Sequence, residues 1–212
     1  MDTRPTTPAL VSRARSGLTR LLALPLLALL ALGALAALAA CGTATAARPA
    51  APVATTTHLT FDIMPVKPGG PAQQWPAYIA TSPTVLPANS VVTVTIRNFD
   101  LGDDSLPAGS PMLRVRGTTD GAATMDGKAY ASLDAQHIAH TFTIPQLDLN
   151  VPISGDAAGD ADNVTVTFSF RTPQKPGTYT FQCYVPCGTG TSGFEGPMAM
   201  SGYMQGTLTV AA

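Results

Sequence analysis

The stretch "VTVTFSFRTPQKPGTYTFQC", residues 164 to 183, carries the pattern from which the fold of this chain can be predicted. Apolar residues alternate with threonine and serine from 164 to 170 and again from 177 to 183. A period of two residues is typical of a strand with one buried and one exposed face. The intervening "TPQKPG" has the proline and glycine of a turn. Two half-buried antiparallel strands are therefore predicted here.

The same alternation recurs on both sides of this stretch. The other segments are "LTFDI" (59 to 63), "VVTVTIRN" (91 to 98), "HTFTI" (140 to 144) and "GTLTV" (206 to 210). Residues 145 to 163 have turn chemistry, and residues 100 to 136 predict a large loop or an excursion with one or two short strands. No long helical period follows residue 60. The pattern predicts an all-β protein, a β-sandwich of about seven strands.

Composition agrees with this fold class and excludes several functions. Of the 212 residues, 6% are aromatic and 12% charged, with 19 glycines and 19 prolines, which favours a turn-rich β protein over a helical bundle. The net charge of −1 gives no basic surface, so nucleic acid is not a predicted partner. No hydrolase motif such as GxSxG or HExxH occurs, and the chain is not predicted to be an enzyme.

The N-terminal segment predicts export and anchoring. Four arginines precede a long Ala/Leu-rich run, the layout of a secretory signal, which we assign to residues 1–40. The run ends in "LAAC", residues 38 to 41, which resembles the bacterial lipobox and implies cleavage before Cys41 and a lipid on its sulfur. Residues 41–57 are then a lipidated flexible linker. An uncleaved membrane helix is the alternative interpretation.

Either interpretation of the N-terminus leaves residues 58–212 as the folded domain, tethered to the cell membrane on its extracytoplasmic face. Cys183 and Cys187 are then the remaining cysteines, and a pair in an oxidising compartment is by default a disulfide. A thiol oxidoreductase is a second interpretation. It is disfavoured because a reactive pair usually lies at a helix N-terminus, whereas this pair follows a strand and enters a Gly-rich loop.

A metal site is the third interpretation of the two cysteines. His140 begins one predicted strand, Cys183 ends another, and Met204 immediately precedes the last. Imidazole, thiolate and thioether are ligands that copper favours over harder metals. Strand ends and loops of a sandwich can bring such residues together at one end.

Three blocks of sequence resemble a known family. These are "IAHTFTIP" (138 to 145), "VTVTFSFRTPQKPGTYTFQCYVPCG" (164 to 188) and "GYMQGTLTV" (202 to 210). They resemble the cupredoxins, the blue-copper and CuA-type electron-transfer domains, and the likeness extends over roughly residues 58–212. The resemblance implies a Greek-key β-sandwich with copper as its cofactor.

The resemblance also implies a ligand set. His140 matches the first histidine ligand, Cys183 the cysteine ligand and Met204 the axial methionine. The "CYVPCG" stretch resembles the CxxxCG of the CuA domain of cytochrome oxidase subunit II, where both cysteines bridge two coppers, so Cys187 joins the set. Met200 is a further candidate thioether ligand, whereas Met198 is predicted to pack in the core.

The sequence departs from the family pattern in one respect. A blue-copper site needs a second histidine between the cysteine and the methionine, and residues 184 to 203 contain none. The CuA pattern would place a histidine at Thr191 and a methionine at Phe194. The other histidines, His58 and His137, are predicted to be solvated. Two thiolates and a thioether favour Cu(I), which indicates copper handling over fast electron transfer.

Two functions follow from these observations. The first is a membrane-anchored cupredoxin-like protein that binds copper for electron transfer or copper handling near the respiratory chain. A respiratory oxidase or another redox or copper protein would be its partner. The alternative is a metal-free cupredoxin-like binding or accessory module with a Cys183–Cys187 disulfide.

Overall fold

Eleven strands and three short 3-10 helices form in the part of the chain that the computed structural model describes, residues 56–66, 75–102, 104–159, 161–187 and 196–212. The strands are β1 Thr57–Met64, β2 Ala77–Ala80, β3 Val85–Pro87, β4 Val91–Asn98, β5 Ala123–Met125, β6 Lys128–Tyr130, β7 His140–Ile144, β8 Leu149–Ile153, β9 Val164–Arg171, β10 Gly177–Gln182 and β11 Gln205–Ala211. The 3-10 helices are Pro111–Leu113, Pro145–Leu147 and Pro197–Ala199.

The six strands predicted from alternation are all present, as β1, β4, β7, β9, β10 and β11. In β9 the apolar residues are buried and the threonines and serine half-buried, which is the physical basis of the pattern. The strands β5 and β6 lie within the predicted excursion of residues 100 to 136, which confirms one or two short strands there. With the short strands β2, β3 and β8, the described residues form eleven strands, which is more than the predicted number of about seven.

The prediction of turns throughout residues 145 to 163 is wrong for β8. All five residues of this strand are buried. Leu149, Val151 and Ile153 do alternate along it, but the residues between them, Asn150 and Pro152, are of types typical of turns. Pro152 is tolerated because β8 is an edge strand of its sheet. A proline is therefore compatible with a strand at this position.

The strands form two sheets. One has six strands in the order β2-β1-β4-β9-β5-β6, and the other has five in the order β3-β11-β10-β7-β8. The pairs β1–β4 and β3–β11 are parallel, and the remaining pairs are antiparallel. The all-β, two-sheet architecture predicted from the sequence is confirmed.

Aromatic rings from both sheets meet in the core. Phe61 of β1 lies 5.6 Å, between ring centroids, from Phe142 of β7 and 5.1 Å from Phe181 of β10. Phe142 also contacts Phe168 of β9, with centroids 5.7 Å apart. All four rings are buried, so the inner faces of the two sheets share one hydrophobic core.

The predictions for the N-terminal segment concern residues that lie almost entirely outside the described ranges. The signal peptide of residues 1–40, the lipidation of Cys41 and nearly all of the 41–57 linker lie outside the described residues and stay predictions. Within the described ranges, no helix has the length and apolar character needed to cross a membrane.

Candidate metal centre

Three neighbouring strands of the five-stranded sheet place three of the predicted ligands at one end of the sheet. His140 is the first residue of β7, Cys183 immediately follows β10, and Met204 immediately precedes β11. Because β10 is antiparallel to both β7 and β11, these residues come to the same end of the sheet. The backbone N–H of Cys183 donates to the carbonyl oxygen of Met204 at 2.9 Å, which extends the β10–β11 pairing into the site.

The side chains of His140, Cys183 and Cys187 form a buried cluster. One ligand atom from each lies within 4.8 Å of the others. The Sγ atom of Cys183 is 4.0 Å from Nδ1 of His140 and 3.3 Å from Sγ of Cys187. Both cysteines are free. One imidazole nitrogen and two sulfur atoms, converging and shielded from water, match the chemistry of a soft metal ion.

The methionines take different positions around this cluster. Met204 is fully buried and belongs to the same core as both cysteines. Met200, at the end of the 3-10 helix Pro197–Ala199, is 44% exposed, and Met198 is buried in the core, consistent with the predicted packing role. Met204 remains the predicted thioether ligand, and Met200 the further candidate.

Hydrogen bonds order residues 183 to 187 and the adjoining part of β7, and one of them joins the two. The backbone N–H of Tyr184 donates to Oγ1 of Thr141 at 2.8 Å. The N–H of Val185 donates to Sγ of Cys183 at 3.5 Å, within the longer range that sulfur acceptors allow. The hydroxyl of Tyr78 donates to the carbonyl oxygen of Thr141 at 3.0 Å. The position of the Cys183 thiol is thus set by contacts that need no metal.

A carboxylate lies on the other side of the histidine ring. Oδ2 of Asp100 is 3.2 Å from Nε2 of His140. The His140 side chain is 2% exposed and that of Asp100 30% exposed. The ring N–H is not aligned for a hydrogen bond, so the contact is an ion pair when the ring is protonated. Sequence reasoning missed Asp100 because the two residues are distant in sequence and no local motif joins them.

These contacts shift the pKa values of His140, Cys183 and Cys187 in the metal-free site. Burial by itself lowers the pKa of His140, but the Asp100 carboxylate and the Cys183 sulfur outweigh it and raise that pKa to about 9. Burial by itself raises the pKa of Cys183, but hydrogen bonds from Cys187 and His140 bring it well below its ordinary value. The hydrogen bond to Cys183, followed by burial, raises the pKa of Cys187. Without a metal, these shifts favour the charged forms of His140 and Cys183 and the protonated form of Cys187.

The remaining histidines lie elsewhere. His58 is exposed on β1, and the side chain of His137 is 59% exposed, 3.8 Å from Oδ1 of Asp134. Neither belongs to the metal-ligating cluster found among the described residues. Their predicted solvation is confirmed. Thr191 and Phe194, the positions where the CuA pattern would place further ligands, lie outside the described residues.

Comparisons with known proteins find similar structures. A scan against protein-family models and a search of curated proteins give no match. Among solved structures, rusticyanin from Thiobacillus ferrooxidans is 15% identical, with 74% of this chain and 77% of that chain covered and a TM-score of 0.34. A variant of rusticyanin is 16% identical, with coverages of 74% and 78% and a TM-score of 0.36.

A copper-containing nitrite reductase from Thermus scotoductus is also similar, at 11% identity and a TM-score of 0.29, with 74% of this chain and 30% of that chain covered. Identities and TM-scores this low transfer neither ligands nor activity. The described residues themselves show a two-sheet β-sandwich with a buried cluster of His140, Cys183 and Cys187.

Proposed function

We propose that this protein is a copper-binding, cupredoxin-like protein of the extracytoplasmic face of the cell membrane, which carries copper or electrons and is not itself an enzyme. The proposed ligands are Nδ1 of His140, the sulfurs of Cys183 and Cys187, and the thioether of Met204. The observation that carries the proposal is the convergence of the first three ligand atoms within 4.8 Å in a buried site.

The donor set favours copper in its reduced state. Two sulfurs and one imidazole nitrogen are soft to borderline donors, and a thioether would add a third sulfur. Because the described site offers one histidine and two cysteines, its donor atoms are mostly sulfur. We therefore propose Cu(I) handling as the main role, with electron transfer as the second.

The location and partner of the protein rest on its sequence. The lipobox-like "LAAC" at residues 38 to 41 supports a lipid anchor on Cys41. A copper site held at the membrane surface suits exchange with a respiratory oxidase or another redox or copper protein. This part of the proposal is tested by labelling with a radioactive fatty acid, which the Cys41→Ala variant should not incorporate.

Copper titration tests the site itself. The full chain, purified in detergent under reducing conditions, is titrated with Cu(I) and Cu(II), and metal content and free thiols are counted. We expect near-stoichiometric copper with sulfur-to-metal charge-transfer absorption in the Cu(II) form. Cys183→Ser and His140→Ala should abolish this absorption. His137→Ala is the matched control because that histidine is exposed and outside the cluster.

A metal-free accessory module remains the second candidate, and the distance of 3.3 Å between the two sulfur atoms favours it. Two thiols this close can be oxidised to a disulfide with little movement of the chain. Absence of bound copper in the reduced protein, with no free thiols in the protein as isolated, would support this candidate over copper binding.

A further inference from the structure

The two nitrogens of the His140 ring face different groups. Nδ1 is 4.0 Å from the sulfur of Cys183, and Nε2 is 3.2 Å from a carboxylate oxygen of Asp100. A histidine that binds a metal through one nitrogen commonly directs its other nitrogen at such an acceptor. At 3.2 Å the negative charge of the carboxylate attracts the Nε2–H side of the ring, which leaves the opposite nitrogen for the metal.

We propose that Asp100 is the positioning residue of the copper site, which holds the Nε2 side of His140 so that Nδ1 faces the two cysteine sulfurs. The inference rests on the copper-binding function proposed above. Asp100 follows the end of β4 in the six-stranded sheet, whereas His140 begins β7 in the five-stranded sheet. The contact therefore joins the two layers of the sandwich.

The loop that carries Asp100 is built around a buried amide. Asn98, the last residue of β4, is 0% exposed, and its Oδ1 accepts the backbone N–H of Asp100 at 3.1 Å. Its Nδ2 donates to the carbonyl oxygens of Asp100, at 3.2 Å, and of Ser154, at 3.1 Å. A buried polar side chain that makes all three bonds locks the backbone of Asp100 in place.

A close contact between two glycines holds the same loop from the other side. A Cβ added at Gly155 would collide with the backbone of Gly102, two residues after Asp100. Gly155 closely follows β8, and Ile153 of β8 pairs directly with His140. The loop that carries Asp100 thus packs beside the end of the strand that pairs with His140. This packing holds the carboxylate next to the imidazole ring.

The carboxylate should also set the redox preference of the site. A negative charge beside Nε2 makes the imidazole a stronger donor, and the doubly charged Cu(II) gains more from this than Cu(I). Asp100 thereby offsets part of the preference of the sulfur ligands for Cu(I). Removing its charge should raise the reduction potential of the bound copper.

Asp100→Asn tests the inference because it keeps the shape of the side chain and removes the charge. We expect Cu(II) affinity to fall by roughly 10- to 100-fold, with a smaller change for Cu(I). Each tenfold change in the ratio of the two affinities corresponds to about 59 mV for a one-electron couple. Asp134→Asn is the matched control, because Asp134 lies beside the exposed His137 and its own side chain is 69% exposed.

Two further measurements separate positioning from a structural role. Asp100→Glu restores the charge and should bring the potential back towards that of the wild type. Nitrogen NMR of His140 in the diamagnetic Cu(I) form should show Nδ1 bound to the metal in the wild type and a changed Nε2–H signal in Asp100→Asn.

The outcomes of this experiment are distinguishable. A wild type that binds no copper overturns the proposed function, and the role of Asp100 with it. A wild type that binds copper, with Asp100→Asn and Asp134→Asn both equal to it in affinity and potential, overturns the role of Asp100 alone. Loss of Cu(II) affinity in Asp100→Asn that Asp100→Glu does not rescue also contradicts the inference.

Discussion

The backbone N–H of Cys183 donates to the carbonyl oxygen of Met204 at 2.9 Å, directly beyond the Gln182–Gln205 pair of β10 and β11. The predicted thiolate ligand and the predicted thioether residue are therefore held side by side by the sheet itself. A site fixed in this way needs little ordering when it binds a ligand, which favours affinity.

Replacement of Met204 by leucine tests the thioether ligand. The two side chains are similar in volume, so we expect the protein to stay folded, with a loss of less than about 1.5 kcal/mol in the free energy of unfolding. Cu(I) affinity should decrease because a soft donor is lost. The measurements are denaturant unfolding and competition with a Cu(I) chelator.

Met198→Leu is the control for this replacement, because Met198 is also buried but is predicted to pack in the core. It should leave Cu(I) affinity unchanged. Equal affinities for the wild type and both variants would exclude Met204 as a ligand.

The paired charges of His140 and Cys183 predict how the stability of the metal-free protein depends on pH. The contribution of His140 is fully present below its ordinary pKa of 6.5 and is lost as the pH rises through about 9. The contribution of Cys183 is fully present above its ordinary pKa of 9.0 and is lost as the pH falls through its lowered pKa. Where the two ranges overlap below pH 9.0, the two slopes oppose each other, and on the acid side stability is lost as Cys183 becomes protonated.

The measurement is the thiolate absorbance and unfolding free energy of the reduced, metal-free protein as a function of pH, with His140→Gln for comparison. In the wild type, the absorbance of one thiolate should persist well below pH 9.0. In His140→Gln it should appear only at higher pH, because the imidazolium that stabilises the thiolate is missing. Identical titrations of the two proteins would contradict the ion pair.

Oxidation is predicted to switch copper binding off. The sulfurs of Cys183 and Cys187 are 3.3 Å apart, so diamide should convert them to an intramolecular disulfide. The thiolate and the thiol give up two electrons and one proton to diamide, which takes its second proton from water, and a disulfide sulfur is a poor metal ligand. Copper uptake should be lost after diamide treatment and restored by a reductant, as measured by bound metal.

Cys187→Ser is the matched control for the oxidation, since it leaves Cys183 without a partner in the cluster. Diamide should then form no intramolecular disulfide. If oxidised wild type bound as much copper as the reduced protein, the cysteine sulfurs would not be the ligands.

The contact between Gly155 and Gly102 gives a prediction for stability. A Cβ at Gly155 would collide with the backbone of Gly102, whereas a Cβ at Gly102 would meet nothing within 4 Å. We expect Gly155→Ala to lower the free energy of unfolding by about 1–3 kcal/mol, as overpacking usually does, and Gly102→Ala to be tolerated. Thermal or denaturant unfolding of the two variants checks this, and equal stabilities would count against the close approach of the two loops.

The strands could be predicted because their signal is local. The alternation in "VTVTFSF" reflects one buried and one exposed face, and β9 and the five other predicted strands formed where it occurs. The same reasoning failed at Leu149–Ile153, because Asn150 and Pro152, which lie between its apolar residues, are of types typical of turns. Tertiary packing covers both faces of this edge strand and buries these two residues, which their residue types alone do not specify.

By itself, the sequence determined the fold class and the identity of the candidate ligands. Local alternation selects strands, and the residue types His140, Cys183, Cys187 and Met204 select the chemistry of a soft metal. Only the tertiary structure placed Asp100 beside Nε2 of His140 and directed Nδ1 at the thiols. The physical reason is that this contact joins two sheets, through a loop held by Asn98, and a contact across layers leaves no periodic trace in the chain.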